Sequence, residues 1–153
     1  MVSDAKAHGS GFKLAQCALP KDMVSYNVSN GQHWSNKSKS WKQARDWMIW
    51  FRCNEGLGFT QKQGKNRRLV KITRILSGRM RLFEKVNLYA GAKPVEDALV
   101  HLGWLTDDAE KYEDLIVEQV RVDAAPDWMQ KAVLEYKAKV AVEIFDLDEA
   151  IRE

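Results

Sequence analysis

The sequence predicts a single α/β domain in which two main helices pack on a small mixed β-sheet. The chain has 153 residues, 45% of them hydrophobic, and this length allows one domain with a substantial core but not two comfortable ones. Segments with strand patterns alternate with segments of helical periodicity, an order that is most simply folded as a sheet covered by helices. We expect the domain to span residues 12–153, after a loose polar tail at residues 1–11.

Four segments have the hydrophobic pattern of strands. They are Phe12 to Leu19, Leu69 to Leu76, Leu115 to Val122 and Tyr136 to Phe145. In the second, we expect a half-buried strand with a positive face, because Lys71, Thr73 and Arg74 interrupt the apolar residues. A turn at Ala125 to Trp128 could start a short helix before the last strand.

A first amphipathic helix is predicted from Ser40 to near Gly56. Its hydrophobic residues recur at helical spacing, and they are Trp41, Ala44, Met48 and Phe51, with Trp47 and Trp50 widening the stripe. This spacing favours core packing for the aromatic residues, and base stacking on one of the tryptophans is the alternative.

The second helix carries a hydrophobic stripe that Gly103 should end. The stripe consists of Leu88, Ala92, Val95, Leu99 and Leu102. Pro94 must either lie in the first turn of this helix or kink a longer one.

The net charge of +3 conceals two halves of opposite charge. Residues 37–85 carry fourteen Lys and Arg against three acids, and residues 86–153 carry seven against sixteen. Such a division is typical of a surface that faces a polyanion such as nucleic acid. Charge complementarity within the chain or within a dimer is the alternative.

Composition also bounds the location of the protein. No stretch approaches the roughly 18 uninterrupted apolar residues of a membrane span, and the first residues lack the apolar region of a secretory signal. Cys17 and Cys53 are too few and too unpatterned for a disulfide framework or a zinc site. We therefore expect a soluble protein in a reducing, intracellular compartment.

Polar residues that could carry chemistry are concentrated between Glu84 and Asp108. Lys93, Asp97 and His101 are spaced four residues apart, which places them on one helix face. The four carboxylates Glu84, Asp97, Asp107 and Asp108, together with Lys93, are the groups needed to hold Mg²⁺ against a phosphate. A surface ion pair and an acidic turn are the alternative, and His101 alone is more typical of a surface residue. A separate polar loop, Tyr26 to Trp34, could touch a ligand through Asn27, Asn30 and His33.

Four motifs in this region resemble the RusA-like Holliday-junction resolvases, a family common in phages and prophages. They are Glu84-Lys-Val-Asn87, Lys93, Asp97-Ala-Leu99 and Gly103-Trp-Leu-Thr-Asp-Asp108, and the likeness covers about Glu84 to Val122. The resemblance implies a homodimeric, Mg²⁺-dependent endonuclease that binds four-way DNA junctions and nicks them symmetrically. It also implies a cytoplasmic location in a bacterial host cell.

The resemblance assigns roles residue by residue. The catalytic residues would be Glu84, Lys93, Asp97, Asp107 and Asp108, with Glu84, Asp107 and Asp108 as metal ligands. Val86 stands where the family has a second motif acid, and valine cannot ligate a cation. Either a shifted acid serves the site, or the chain is a non-catalytic RusA-like scaffold that acts as a DNA- or protein-binding accessory factor or inhibitor.

Contacts to DNA are expected from the basic half of the chain and from the motif asparagine. The predicted residues are Lys37, Lys39, Lys42, Arg45, Lys65, Arg67, Arg68, Lys71 and Asn87.

Overall fold

The computed structural model describes residues 11–24, 37–53, 57 and 63–152, and for residues 37–40 only the backbone. Its elements are β1 (Phe12–Leu19), α1 (Lys37–Cys53), β2 (Asn66–Leu76), α2 (Lys85–His101), β3 (Glu113–Arg121), a 3₁₀ turn (Val122–Ala124), α3 (Asp127–Tyr136) and β4 (Val140–Ala150). Residues 1–10 of the predicted tail and the polar loop from Tyr26 to Trp34 lie outside the described residues.

The four strands form one mixed sheet in the order β1-β4-β2-β3. β2 and β3 are parallel and are connected through α2, whereas β4 runs antiparallel to both β1 and β2. The predicted class, a small mixed α/β sheet with helices, is confirmed. The described residues form three α-helices, namely the two main helices and the shorter α3.

Helices α1 and α2 pack against each other and against one face of the sheet. All five residues of the predicted α2 stripe, from Leu88 to Leu102, are buried and belong to the same hydrophobic core as Val70 and Ile72 of β2. Pro94 lies in the interior of α2. Gly103 follows the helix with a φ of 87°, a conformation that glycine adopts readily and that ends the helix as predicted.

The expectation of a half-buried, positive strand is wrong for β2. Lys71, Thr73 and Arg74 are all less than 5% exposed, because β2 lies between β3 and β4 and both faces of the sheet are covered there. Lys71 Nζ lies 3.2 Å from the Glu118 carboxylate, and Arg74 donates two hydrogen bonds to Asp22. These side chains are buried and engaged in contacts within the protein, so they provide no positive surface.

The last strand begins later than the sequence pattern indicated. Tyr136 is the final residue of α3, and Lys137 follows it in the left-handed conformation with a φ of 59°. The chain continues as helix because Met129 and Ala132 pack on the second face of the sheet, against Ile75. The short helix that the Ala125 turn suggested is thereby confirmed.

None of the helices in the described part of the chain has the length and apolar character needed to cross a membrane. Both cysteines, Cys17 and Cys53, are free.

Candidate functional site

Helix α2 presents Lys93 and Asp97 together on its outer face. The neighbouring residues Ala92, Val95 and Leu99 are buried against the sheet, and this fixes the direction in which the two polar side chains point. Lys93 Nζ lies 3.3 Å from Asp97 Oδ1. Lys93 and Asp97 thus share a helix face, as predicted, and form an ion pair there.

Asp108 reaches the same lysine from the loop between α2 and β3. Its carboxylate accepts a hydrogen bond from Lys93 Nζ. The loop is anchored by Leu105, which is buried, and by the Thr106 N–H, which donates to the Gln63 side chain at 2.8 Å. Lys93 is therefore held between a helix and a fixed loop.

Asp107 plays a different part from its neighbour. Its Oδ1 accepts a hydrogen bond of 2.8 Å from the backbone N–H of Asp108. This contact orients the Asp108 backbone. Asp107 is therefore a positioning residue for Asp108 in this arrangement.

Two buried glutamates complete the cluster and were missed by the sequence analysis. Glu96 is 6% exposed and lies 3.5 Å from Lys93 Nζ, and Glu113 is 4% exposed. Glu113 hydrogen bonds with Glu96 through its carboxyl group. The other oxygen of Glu113, Oε2, is buried without a hydrogen-bond partner among the described residues.

A signal for Glu113 was present in the sequence. Glu113 begins β3 at the same parity as Leu115 and Val117, the residues of that strand which pack on the helix-facing core. A carboxyl at an apolar position of a strand is unusual. The sequence indicated the burial of Glu96 less clearly, because an acid beside the apolar Val95 is common on a helix.

The protonation states follow from this packing. Burial, the hydrogen bond with Glu96 and the negative charges of Glu96 and Asp108 raise the pKa of Glu113 to about 10, against the opposing effect of Lys93. The hydrogen bond from Lys93 lowers the pKa of Asp108. Desolvation lowers the pKa of Lys93, but the bond to Asp108 and the charges of Asp97 and Glu96 outweigh it and raise that pKa overall. At neutral pH, Glu113 is therefore neutral while Lys93 and Asp108 are charged.

A cleft of about 480 Å³ opens beside this cluster. Its lining consists of Glu96, Asp108, Glu110, Glu113, Asp114 and Leu115. Such a lining attracts cations and repels phosphates. The cation of this cluster is Lys93, whose side chain is 49% exposed.

The residues predicted to hold Mg²⁺ do not converge. Glu84 directly precedes α2, nine positions before Lys93, which is about 13 Å along the helix axis. Within the described ranges, no group of three or more His, Cys, Asp or Glu side chains has an arrangement that could hold a metal ion. The carboxylates that do converge, on Glu96, Asp97 and Asp108, surround the ammonium group of Lys93. A magnesium site formed by Glu84, Asp107 and Asp108 stays a prediction.

Val86 lies in the first turn of α2 and is 65% exposed. An acid in its place would reach solvent without disturbing the core. Asn87, the next residue, is half-buried.

The predicted DNA-binding residues divide into two groups. Lys42, Arg45 and Lys65 are exposed on the surface. The side chains of Lys37 and Lys39 lie outside the described part of the chain.

The second group is engaged within the protein. Arg67 pairs with Asp114 and, at 2.8 Å, with Glu149, whereas Arg68 donates to the backbone oxygen of Trp104. Lys71, as noted above, is buried beside Glu118. The ion pairs of Arg67 and Lys71 join the basic half of the chain to its acidic half, so part of the charge division serves intramolecular complementarity.

Comparison of the chain with protein-family models, with curated proteins and with solved structures gave no match.

Proposed function

We propose that this chain is a RusA-like protein that binds branched DNA through its exposed basic residues and brings a phosphate to the cluster of Lys93, Asp97 and Asp108. The proposal is supported above all by one observation: Lys93 contacts both Asp97 and Asp108. Lys93 and Asp108 are 15 residues apart in sequence and come from a helix and a loop. The resemblance names these three residues independently of their geometry.

A polyanion is a better ligand for the basic half of the chain than a small anion, because its exposed cations belong to several elements and loops. The described residues of this kind in the basic half include Lys42, Arg45, Lys65, Arg79, Arg81 and Lys85. Spread charges match a phosphate backbone, whereas a small anion needs converging donors.

Binding to a synthetic four-way junction is expected to depend strongly on salt. If about five phosphates are contacted, log affinity should fall against log salt concentration with a slope of about −4 to −5. Titration at several salt concentrations measures this slope. Arg45→Ala should make it shallower by about one, and Leu134→Ala, a substitution of an exposed residue on α3, should leave it unchanged. A slope near zero, or no binding at low salt, would exclude DNA as the ligand.

We also propose a homodimer in the bacterial cytoplasm, because two equivalent junction strands require two equivalent sites and two-fold symmetry supplies them. Sedimentation at micromolar concentration should give about twice the monomer mass of 17.6 kDa. A strictly monomeric species, with and without junction DNA, would contradict paired nicking.

A second candidate function is a non-catalytic scaffold that binds DNA or a protein as an accessory factor or inhibitor. It is favoured by Val86, which presents an apolar side chain where the resemblance requires an acid. Incubation of the labelled four-way junction with and without Mg²⁺ separates the two candidates. Paired nicks that require Mg²⁺ support the resolvase, and an intact junction under conditions of full binding supports the scaffold.

A further inference from the structure

Trp41 is the only tryptophan among the described residues that is exposed. Its exposed fraction is 46%, although its spacing in α1 predicted a place in the core. The residues of α1 that do face the sheet are Ala44, Trp47 and Phe51, and all three are buried. Trp41 lies one turn before this set, at the edge of the packed surface.

His101 holds the Trp41 ring in place from the neighbouring helix. The two ring centroids are 4.7 Å apart and the ring planes are inclined at 66°, an edge-to-face contact. His101 is itself exposed. The indole therefore packs against an aromatic neighbour while almost half of its surface stays open to solvent.

The pair of Trp41 and His101 lies on the same side of α2 as Lys93, where a phosphate is proposed to lie. His101 follows Lys93 by eight residues and Asp97 by four, so the three lie along one face of α2. Eight residues span about 12 Å along the helix axis. In one strand of B-DNA, this distance corresponds to between three and four nucleotides of about 3.4 Å each.

We propose that Trp41, held by His101, is a stacking platform for an unpaired nucleobase of the DNA bound at Lys93. This inference rests on the proposed function and adds a base contact to it. An aromatic ring accepts any base on its face, and such stacking is worth about 1 to 3 kcal/mol per base.

The charges around Trp41 favour a nucleobase, and not an apolar protein segment, as the group that binds there. Lys42 follows Trp41 directly and Arg45 lies one turn further along α1, and both are exposed. Positive charges beside an open aromatic ring suit a base with its flanking phosphates. A branch point that carries an unpaired base offers such a base with its flanking phosphates.

The test compares two junctions of equal charge. One carries a single unpaired thymine at the branch point, and the other carries an abasic residue at the same position. The unaltered protein should bind the thymine junction about tenfold more tightly. Trp41→Leu, which keeps apolar bulk but removes the ring, should bind both junctions equally, and Trp41→Phe should retain part of the preference.

Ile49→Ala is the matched control, because Ile49 is 47% exposed two turns further along the same helix. It should keep the full preference. If Trp41→Leu keeps the preference, or if the unaltered protein binds both junctions with equal affinity, the stacking platform is refuted while DNA binding stands. If the unaltered protein binds neither junction, the proposed function itself is refuted, and the platform with it.

Discussion

Glu113→Gln is expected to stabilise the protein at pH 8 and to flatten the dependence of its stability on pH. Glutamine has the shape of the neutral carboxyl group that Glu113 holds in the folded protein, and its amide can still donate to Glu96. Unlike glutamate, it cannot ionise in the unfolded chain. The substitution therefore removes a proton-linked cost of folding at alkaline pH.

The direction follows from the two pKa values of Glu113. In the folded protein the pKa is raised from 4.5 to about 10, so the folded state keeps a proton that the unfolded state loses. Between these values, the free energy of unfolding should fall as pH rises, by at most about 1.4 kcal/mol per pH unit from this group. Below pH 4.5 both states hold the proton, and the two proteins should differ least.

Urea denaturation at pH 5, 6, 7 and 8 measures the effect, with Glu110→Gln as the control. Glu110 lines the same cleft but is exposed, so its loss should change stability only slightly. A Glu113→Gln protein whose stability differs from the unaltered protein by the same amount at every pH would show that Glu113 ionises normally in the folded state.

If Glu84, Asp107 and Asp108 are brought to a common point on the bound junction, Val86→Asp is expected to raise Mg²⁺-dependent cleavage at least tenfold, about 1.4 kcal/mol of barrier. The substitution restores the acid that the resemblance requires, on the same helix as Lys93 and two turns before it. Folding should not suffer, because Val86 is exposed and an acid in the first turn of a helix interacts favourably with the helix dipole. Single-turnover cleavage of the four-way junction, with Mg²⁺ and with EDTA, measures the gain.

Asp108→Asn is the opposite test, because it removes an acid from the site. It should abolish cleavage while leaving junction binding intact or stronger, because it removes a negative charge beside Lys93. Leu82→Asp, an acid added at an exposed position four residues before Val86, controls for charge alone. If Val86→Asp folds, binds the junction and stays inert, the acid cluster does not support cleavage and the scaffold function is the better account.

The sequence predicted those parts of the fold in which hydrophobic spacing and structure agree. β1 was predicted as observed, from Phe12 to Leu19, because Pro20 ends it. The buried residues of α2 were predicted correctly, because a helix that is buried on one side carries its apolar residues at helical spacing. The contact of Lys93 with Asp97 followed from the same helical spacing.

The errors arose where position in the fold overrides local pattern. Nothing local to β2 shows that it is the strand between β3 and β4, and so Lys71 was expected on the surface. Trp41 has the spacing of a core residue but is 46% exposed, because it lies one turn before the part of the helix that is buried. Glu113 and Glu96 meet only because β3 is parallel to β2, a pairing that single-sequence periodicity does not specify.

The order of strands also has a consequence for how the chain assembles during its synthesis. β1 is made before the other strands described, yet its hydrogen-bonding partner in the sheet is β4, which is made last. β2, α2 and β3 are contiguous along the chain and can pair as soon as residue 121 has been made. Until β4 follows, the edge of β1 and the open edge of β2 are both unpaired, and these two edges are where a newly made chain is most exposed to wrong pairing with another copy.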